Sequence, residues 1–407
     1  MIKIAIIGGG AAGLMAAITA AEHGADVTVY EQNAEPGKKI LASGNGRCNI
    51  INRTTETADF EGEAPAFVSH ALEAMPFKSF ERFCKSIGVL LEVKEDGKCY
   101  PLSHEAKTVQ TALIRGAAHR GVTFHNGTFV TGITESDGRF AVSASGTTAF
   151  FDRLIIATGS PAAPQLGGND SGMTFARALG HNIVPHFPSL VGLHLDAPEL
   201  SKTAGVKTTA RVSLFIDSAC VKEEEGDILF TSYGLSGFTV LDLSHDASKA
   251  LNGFAYVTLR LDLLPRFSPQ SLAAQIEQMA RLIPDDTLYD LLCGLIPRKL
   301  VGPLLEGRKL SPRTPCRDVT AKTAKSTAHA LKQWSFRVTD THGYKHAEVA
   351  GGGVATEEID AKTMASKKVR YLYFAGEVID ITGRRGGFNF HFAWGSGFLA
   401  GKHAARE

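Results

Sequence analysis

Residues 3–31 read KIAIIGGGAAGLMAAITAAEHGADVTVYE, and this stretch decides the fold of the 407-residue chain. Its two apolar runs, residues 4–7 and 27–30, are typical of buried parallel strands. The segment between them is rich in alanine, leucine and methionine, which favour a helix, and Gly24 is placed to end that helix. The stretch therefore predicts a βαβ unit: a strand, a turn, a helix and a second strand.

Three glycines of this stretch, Gly8, Gly10 and Gly13, have the spacing of a dinucleotide-binding turn. The first bends the chain, the second lets a pyrophosphate approach the backbone, and the third lets helix and strand pack closely. The phosphates would bind free N–H groups at the positive end of the helix. Glu31 ends the second strand, where a carboxylate suits the two ribose hydroxyls. The pattern favours a dinucleotide site over a glycine-rich turn without a ligand.

The apolar run over residues 4–21 could also pass for a signal peptide or a membrane anchor. Four glycines within residues 8–13 argue against this, because they suit a tight turn better than a membrane-spanning helix. We therefore expect no membrane segment. The six cysteines have neither metal-site nor redox-pair spacing, so we expect a reduced, cytoplasmic protein without a metal.

The composition is that of an ordinary globular protein. It is 44% hydrophobic and 21% charged, with a net charge of +1, and its length predicts two or three domains. The longest basic runs, such as Lys367-Lys368 and Arg384-Arg385, contain only two residues and are too short to indicate a nucleic-acid binding surface. We therefore expect a small-molecule substrate and no nucleic-acid partner, while the oligomeric state is left open.

The last residues of the chain repeat the pattern of the first: a short apolar run, then glycines, then a helix. Residues 371–375 form another buried-strand pattern, followed by Gly376-Glu377, and Gly386-Gly387 opens a final helix over residues 390–405. A Gly-acid pair after a strand is the pattern that approaches the ribityl chain and pyrophosphate of FAD. The positive helix end would stabilise a reduced flavin. FAD is therefore the expected cofactor, and any NAD(P)H would bind as a transient donor without its own Rossmann domain.

The middle of the chain has a different pattern of apolar and polar residues. Residues 191–264 show short strand-like runs and no evident helical period, which predicts a small antiparallel barrel. Residues 265–335 carry helical patterns. We expect an α/β protein in which a Rossmann-like FAD-binding domain, residues 1–190 and 336–407, is interrupted by a β-barrel and then by a helical subdomain.

Several blocks that follow one another along nearly the whole chain resemble those of the BaiN-like (YhiN-like) NAD(P)/FAD-dependent oxidoreductases. That family includes bile-acid Δ4-reductases and aminoacetone-oxidase-like flavoproteins. The blocks are SGNGRCN at 43–49, YPLS at 100–103 with Lys107, LFT at 229–231, YGLSG at 233–237, AGGGV at 350–354, FAGEV at 374–378 and GGFN at 386–389. The resemblance implies a discontinuous FAD domain with an inserted barrel and helical bundle, and hydride transfer at flavin N5.

The resemblance leaves the reaction open, because members of the family differ in substrate. We favour NAD(P)H-linked reduction of a polarised C=C bond in a small organic substrate over oxidation of a small amine or alcohol by oxygen. A non-redox FAD-binding module, or a flavoprotein of RNA modification, is the alternative from another class.

The residues expected to contact FAD come from the two ends of the chain and from the loops between them. They are Gly8, Gly10, Ala11, Ala12, Gly13, Glu31, Gln32, Lys38, Lys39, Ser43, Gly44, Gly46, Arg47, Cys48, Asn49, Val130, Ala157, Thr158, Gly159, Gly376, Glu377, Gly386, Gly387, Phe388 and Asn389. Within this set Cys48 could be a redox partner, although a packing role is favoured, and Arg47 could bind a phosphate or pin its loop.

Catalytic residues are not identified by the sequence, but four side chains are candidates. Arg384 and Arg385 could bind an anionic substrate group bidentately, or form a salt bridge to Asp380 or a nearby glutamate. His391 titrates near neutrality, yet on its apolar helix it is more often a core histidine. Tyr233 could donate a proton, or be a barrel tyrosine with a satisfied hydroxyl.

Overall fold

The computed structural model describes residues 1–406, which divide into two compact units. The first unit contains residues 1–187 together with those from 348 onward, and the second contains Pro188–Ala347. The two ends of the chain therefore fold into one unit. The boundary predicted after residue 335 falls inside the strand Trp334–Thr341, which belongs to the second unit.

The strands are β1 (Lys3–Ile7), β2 (Asp26–Tyr30), β3 (Ile51–Asn52), β4 (Phe60–Glu61), β5 (Leu91–Val93), β6 (Lys98–Pro101), β7 (Thr123–His125), β8 (Val130–Ser136), β9 (Arg139–Ala144), β10 (Thr147–Phe151), β11 (Arg153–Ile156), β12 (Ile183–Ser189), β13 (Leu193–Leu195), β14 (Lys207–Ile216), β15 (Ala219–Phe230), β16 (Gly234–Ser236), β17 (Val257–Asp262), β18 (Trp334–Thr341), β19 (Val349–Val354), β20 (Leu372–Phe374) and β21 (Thr382–Gly383). The helices are α1 (Ala11–Glu22), α2 (Lys38–Ala42), α3 (Ser69–Ala74), α4 (Phe77–Ser86), α5 (Ala106–Ala118), α6 (Ser171–Ala178), α7 (Phe238–Asn252), α8 (Pro269–Leu282), α9 (Leu288–Cys293), α10 (Arg298–Glu306), α11 (Ala321–Lys332) and α12 (Phe388–Ala404).

The first unit is built on a five-stranded parallel sheet with the strand order β20-β11-β1-β2-β7. The apolar run predicted as a strand is β1, which lies between β2 and β11 with all of Ile4–Ile7 buried. Strand β20, from the end of the chain, pairs with β11. The predicted βαβ unit and the return of the C-terminal segment to this sheet are therefore confirmed.

Helix α12 joins the C-terminal segment to the start of the chain by packing closely on α1. A Cβ atom at Gly397 would collide with the Ala12 carbonyl oxygen, and one at Gly401 would collide with that of Ala16. Glycine at these two positions therefore lets the helix backbones approach each other. Within residues 1–406, no helix is both long and apolar enough to cross a membrane.

The second unit is a closed six-stranded barrel with the order β13-β16-β15-β14-β17-β18, accompanied by helices α7 to α11. The barrel was predicted, but the absence of a helix from residues 191–264 was not correct, because α7 lies there. Its buried face includes Val240, Leu243 and Ala247 at helical spacing. Ser244 and His245 are also buried and interrupt the apolar pattern, so the sequence did not indicate this helix.

Candidate functional site

The glycine turn after β1 has the backbone geometry expected from its spacing. Gly8 has φ +103, and a Cβ atom there would lie 2.5 Å from the Ala157 carbonyl oxygen. A Cβ atom at Gly13 would collide with the carbonyl oxygen of Gly8. At Gly10, by contrast, a Cβ atom would meet nothing within 4 Å. Gly8 and Gly13 thus allow close backbone packing, whereas Gly10 leaves open space at the N-terminus of α1.

Glu31 ties this turn to the end of β2. The side chain is 6% exposed, and its Oε2 accepts a hydrogen bond from the Gly9 backbone N–H at 2.8 Å. Its Oε1 accepts from the backbone N–H and the Nδ2 of Asn33 at 2.8 and 2.7 Å. Because a carboxylate oxygen has two lone pairs, Oε2 retains the capacity for one further donor. A ribose hydroxyl fits that description.

A loop that the sequence analysis did not single out lies beside the predicted ribose site. Gln32 donates from Nε2 to the Gly167 carbonyl oxygen and accepts at Oε1 from Asn169 Nδ2 at 3.2 Å. Gly167 has φ +97, a left-handed conformation that favours glycine. The Gly167-Gly168 pair is the signal that could have revealed this loop from the sequence.

The C-terminal block and helix α2 meet at Glu377. Lys39 Nζ lies 2.8 Å from Glu377 Oε2, and a Cβ atom at Gly159 would lie 4.0 Å from the same oxygen. Gly376 packs on α1, where its Cβ atom would lie 2.7 Å from that of Ala12. The structure therefore brings residues from four predicted blocks together.

Two buried acceptors in this region lack a partner within residues 1–406, namely Glu377 Oε1 and Thr158 Oγ1. Unsatisfied buried polar atoms are rare in folded proteins, so each needs an explanation. A ligand rich in hydroxyl groups would satisfy both. The ribityl chain and the ribose of FAD supply such hydroxyl groups, so these residues fit the expected cofactor.

The loop over residues 43–49 has an unusual backbone. Gly44, Asn45, Gly46 and Cys48 all have left-handed φ angles between 55° and 81°. Successive N–H groups in such conformations can form an anion-binding concavity. The Arg47 side chain is exposed and makes no hydrogen bond or ion pair within residues 1–406, which leaves it available to a ligand.

Cys48 is fully buried in this loop, and burial raises the pKa of its thiol to about 11. A hydrogen bond with Ser43 opposes that shift only in part. The thiolate, which is the reactive form, is therefore disfavoured at neutral pH. The geometry favours the packing role for Cys48 over a redox role.

Helix α12 begins beside the same loop. Gly387 precedes it with φ +96, and a Cβ atom there would lie 2.7 Å from the Ile51 carbonyl carbon. The Asn389 side chain fixes the backbone just before the helix. Its Oδ1 accepts from the Gly383 N–H at 2.7 Å, and its Nδ2 donates to the Gly383 carbonyl oxygen at 2.8 Å. No side chain caps the helix, so its first N–H groups and its positive end are open to a ligand.

The remaining members of the predicted FAD set lie at the edges of this region. Lys38 is exposed, and its Nζ lies 3.5 Å from Asn33 Oδ1. Asn49 Oδ1 accepts from the Cys99 backbone N–H at 3.3 Å. Val130 is buried at the start of β8. Their contact with FAD stays a prediction.

Arg384 pairs with Asp59, whereas the sequence left open a salt bridge to Asp380 or to a nearby glutamate, or the binding of an anionic substrate group. Its Nη2 lies 2.6 Å from Asp59 Oδ1, and its backbone N–H donates to the Asp59 carbonyl oxygen at 2.9 Å. The antiparallel pairing of β21 with β4 brings the two residues together. Arg385 is half-buried, and its part in substrate binding stays a prediction.

We expect Arg384→Ala to lower the free energy of unfolding by about 1 kcal/mol, because the arginine of this pair is half-exposed. Asp59→Ala should cost more, because Asp59 Oδ2 also accepts from the Glu56 backbone N–H at 2.8 Å, and the double variant should lose less than the sum of the two. Urea denaturation of the four proteins measures this coupling. A shift in the potential of the bound flavin in Arg384→Ala, absent from Asp59→Ala, would instead assign Arg384 a functional role.

His391 is a core histidine. It is 4% exposed, its Nε2 lies 2.9 Å from the Met75 carbonyl oxygen, and its Nδ1 has no hydrogen-bond partner within residues 1–406. Burial lowers the pKa of the ring, and the bond to Met75 opposes that shift only in part. The ring is therefore neutral, with its proton on Nε2, and is a poor proton donor.

The lowered pKa of His391 predicts a loss of stability in acid. Between the folded pKa and the unfolded value of about 6.5, the unfolded chain binds more protons, so the free energy of unfolding falls as pH decreases. His391→Gln should remove this part of the pH dependence. Denaturation midpoints of both proteins from neutral to mildly acidic pH test it, and parallel curves would contradict the assignment.

Tyr233 lies in the barrel unit, where its ring stacks on that of His342 with 3.8 Å between centroids. A Cβ atom at Gly192 would lie 2.6 Å from the Tyr233 hydroxyl oxygen, so glycine at 192 makes room for the hydroxyl group. The sequence analysis selected Tyr233 but none of the histidines around it.

Comparisons with known proteins identify the family of this chain. A family model described as the HI0933-like protein Rossmann domain matches residues 2–403. The chain is 34% identical to a 3-dehydro-bile acid delta(4,6)-reductase of Clostridium scindens over 100% of both chains. It is 30% identical to a ribosomal RNA dihydrouridine synthase of Escherichia coli over 96% of this chain and 95% of that one.

A solved structure shares the fold. The 3-ketosteroid delta1-dehydrogenase from Sterolibacterium denitrificans is 13% identical, with a TM-score of 0.51 over 100% of both chains. The family match and the full-length relatives bear out the resemblance seen in the motifs. This chain belongs to the HI0933-like family of FAD-dependent oxidoreductases.

Proposed function

We propose that this protein reduces a C=C bond conjugated to a carbonyl group, with NAD(P)H as the electron donor. The full-length relatives carry this proposal, because their names describe the same chemistry on different molecules. A 3-dehydro-bile acid delta(4,6)-reductase saturates a C=C bond near a ketone, and a dihydrouridine synthase saturates the C=C bond of uracil.

All six cysteines are free thiols, which supports a reducing, cytoplasmic setting.

The residues of the first unit would hold the cofactor and set its charge. FAD, when bound, would supply the hydride for the reduction. Glu31 and the open space at Gly10 would hold the adenosine half, whereas Glu377 and Thr158 would accept from hydroxyl groups. The free N–H groups at the start of α12 would favour a negatively charged ligand.

Two substrate classes fit this chemistry, and we favour a small organic enone. The net charge is +1, and Arg211 on the barrel surface is engaged by Glu225 at 3.0 Å. A uridine in RNA is the second candidate, favoured by the dihydrouridine synthases and by exposed aromatic rings on the barrel. Phe254 is 97% exposed, and the Arg337 guanidinium lies 5.2 Å from the Tyr256 ring centroid, as in surfaces that stack bases.

Anaerobic stopped-flow absorbance of the holoprotein tests both candidates. The flavin is first reduced with NADH or NADPH and then mixed with 4-androstene-3,17-dione or an unmodified uridine-containing oligoribonucleotide. Reoxidation by the enone supports the proposal, and reoxidation only by the oligoribonucleotide supports the second candidate. Reoxidation by neither, or flavin reduction by an amine or alcohol followed by reoxidation with oxygen alone, would overturn it.

A further inference from the structure

A cavity of about 190 Å³ lies between two strands of the barrel and the C-terminal end of helix α11. Strand β14 contributes Arg211 to its wall, and strand β17 contributes Arg260. Lys332, the last residue of α11, and Gln333, which follows it, line the other side. All of these residues belong to the second unit, so that unit alone forms the cavity.

Strand pairing fixes the neighbours of Arg260 in this wall. Arg260 lies opposite Ser213 on β14 and opposite Ser335 on β18. Leu259 and Leu261, which flank it in the sequence, are fully buried in the barrel core. Because side chains alternate along a strand, Arg260 points away from that core, and its cross-strand neighbours are two uncharged serines.

The Arg260 side chain has a stacking partner but no hydrogen-bond partner. Its guanidinium carbon lies 4.1 Å from the centroid of the Phe215 ring, which also lines the cavity. The side chain is half-buried, and its guanidinium makes no hydrogen bond or ion pair with any of residues 1–406. Partly buried N–H donors without an acceptor are costly, and a guanidinium carries five of them. The Nη groups of Arg260 are therefore available to an acceptor in the cavity.

The other two cations that line the cavity already have carboxylate partners. Lys332 Nζ lies 2.6 Å from Asp262 Oδ2. Arg211 Nη2 lies 3.0 Å from Glu225 Oε2, and its Nε lies 3.6 Å from Glu223 Oε1. The third cation of the wall is therefore the one without a carboxylate partner among residues 1–406.

The remaining groups of the wall favour a ligand with one negative charge and a short carbon chain. The carboxylates of Asp262 and Glu223 line the same cavity and would repel a dianion such as hydrogen phosphate. A guanidinium binds a carboxylate by two parallel N–H···O bonds, and the Phe215 ring offers an apolar surface beside it. The Gln333 side chain has no hydrogen-bond partner within the described residues, so its amide supplies a further donor.

We propose that this cavity binds a small organic monocarboxylate, held by the guanidinium of Arg260 beside the ring of Phe215. Gln333 donates to the same carboxylate from the end of α11, so the ligand bridges the barrel and the helix. The site goes beyond the proposed function and does not depend on it, because all of its residues lie in the second unit. A ligand that binds only the folded state stabilises it, so occupancy should raise the melting temperature.

Isothermal titration calorimetry of the holoprotein with sodium propionate tests the site, with sodium chloride used to hold the ionic strength constant. We expect saturable binding at a single site per chain. Arg260→Gln should weaken it about 10- to 100-fold, because a charge-assisted pair of hydrogen bonds is lost. Arg260→Lys keeps the charge but loses the planar fork, so its affinity should be intermediate. The gain in melting temperature with propionate should follow the same order.

Arg337→Gln is the matched control. Arg337 also lies over an aromatic ring, 5.2 Å from the Tyr256 centroid, and makes no ion pair within residues 1–406, but it does not line the cavity. This variant should bind propionate as wild type does. Circular dichroism and flavin absorbance establish that each variant is folded and carries FAD before it is titrated.

Glu223→Gln tests the preference for a single negative charge. Removing this carboxylate should improve the binding of phosphate more than that of propionate, since only phosphate carries a second charge to be repelled. If wild type binds phosphate at neutral pH more tightly than propionate, the assignment to a monocarboxylate is overturned.

Nitrogen NMR of arginine-labelled holoprotein locates the ligand. The Nε–H signal of Arg260, identified by its absence from Arg260→Gln, should shift when propionate is added, whereas that of Arg337 should not. Three results would overturn the site: no saturable propionate binding by wild type, an unchanged affinity in Arg260→Gln, or equal losses in Arg260→Gln and Arg337→Gln. The last of these would show only non-specific attraction to surface charge.

Discussion

Gly10→Val is expected to weaken FAD binding strongly while leaving the apoprotein folded. The backbone at Gly10 has φ −75, which valine can adopt, and a Cβ atom there would meet nothing within 4 Å. The added side chain would, however, fill the space through which a pyrophosphate reaches the N-terminus of α1. Losing two hydrogen bonds to a charged group costs about 3–6 kcal/mol, so FAD affinity should fall at least about 100-fold.

Two glycines provide controls for this prediction. Gly302 in α10 is also open, with nothing within 4 Å of a Cβ atom, so Gly302→Val should preserve both folding and FAD affinity. Gly13→Ala should instead destabilise the apoprotein, because its Cβ atom would collide with the Gly8 carbonyl oxygen. Thermal melting without FAD and fluorescence titration with FAD separate the two effects. Tight FAD binding by Gly10→Val would remove this turn from the site.

The parallel sheet could be predicted because its signals are local. The apolar run in β1 and the glycines that follow it specify a strand and a turn within a few residues, and the strand at residues 372–374 repeats that pattern. The barrel was also recognisable from its short strands. Helix α7 was missed because polar residues occupy part of its buried face.

The contacts that give site residues their roles depend on tertiary structure, and the sequence could not supply them. Asp59 and Arg384 are 325 residues apart and meet only because β21 pairs with β4. A packing role for Cys48 and a core position for His391 were favoured by the sequence, but the direction in which burial shifts each pKa follows from the tertiary structure.

The second large effect is expected at Glu31, whose carboxylate lies between the glycine turn and the end of β2. Glu31→Ala would leave a ribose hydroxyl without its acceptor and would also free the Gly9 and Asn33 N–H groups that Glu31 now holds. Loss of such bonds costs roughly 1–3 kcal/mol, so the Kd for FAD should rise about 5- to 150-fold.

Binding of ADP shows whether Glu31 acts on the adenosine half of FAD. ADP lacks the flavin half, so its competition with FAD reports on the adenosine half alone, and Glu31→Ala should weaken ADP and FAD by the same factor. Asn33→Ala is the matched control, because it removes the 2.7 Å bond from Nδ2 but keeps the carboxylate and the 2.8 Å bond to Gly9. It should bind both ligands nearly as wild type does. An unchanged FAD affinity in folded Glu31→Ala would show that the carboxylate only supports the turn. Equal losses of FAD affinity in Glu31→Ala and Asn33→Ala would assign the effect to the Asn33 loop.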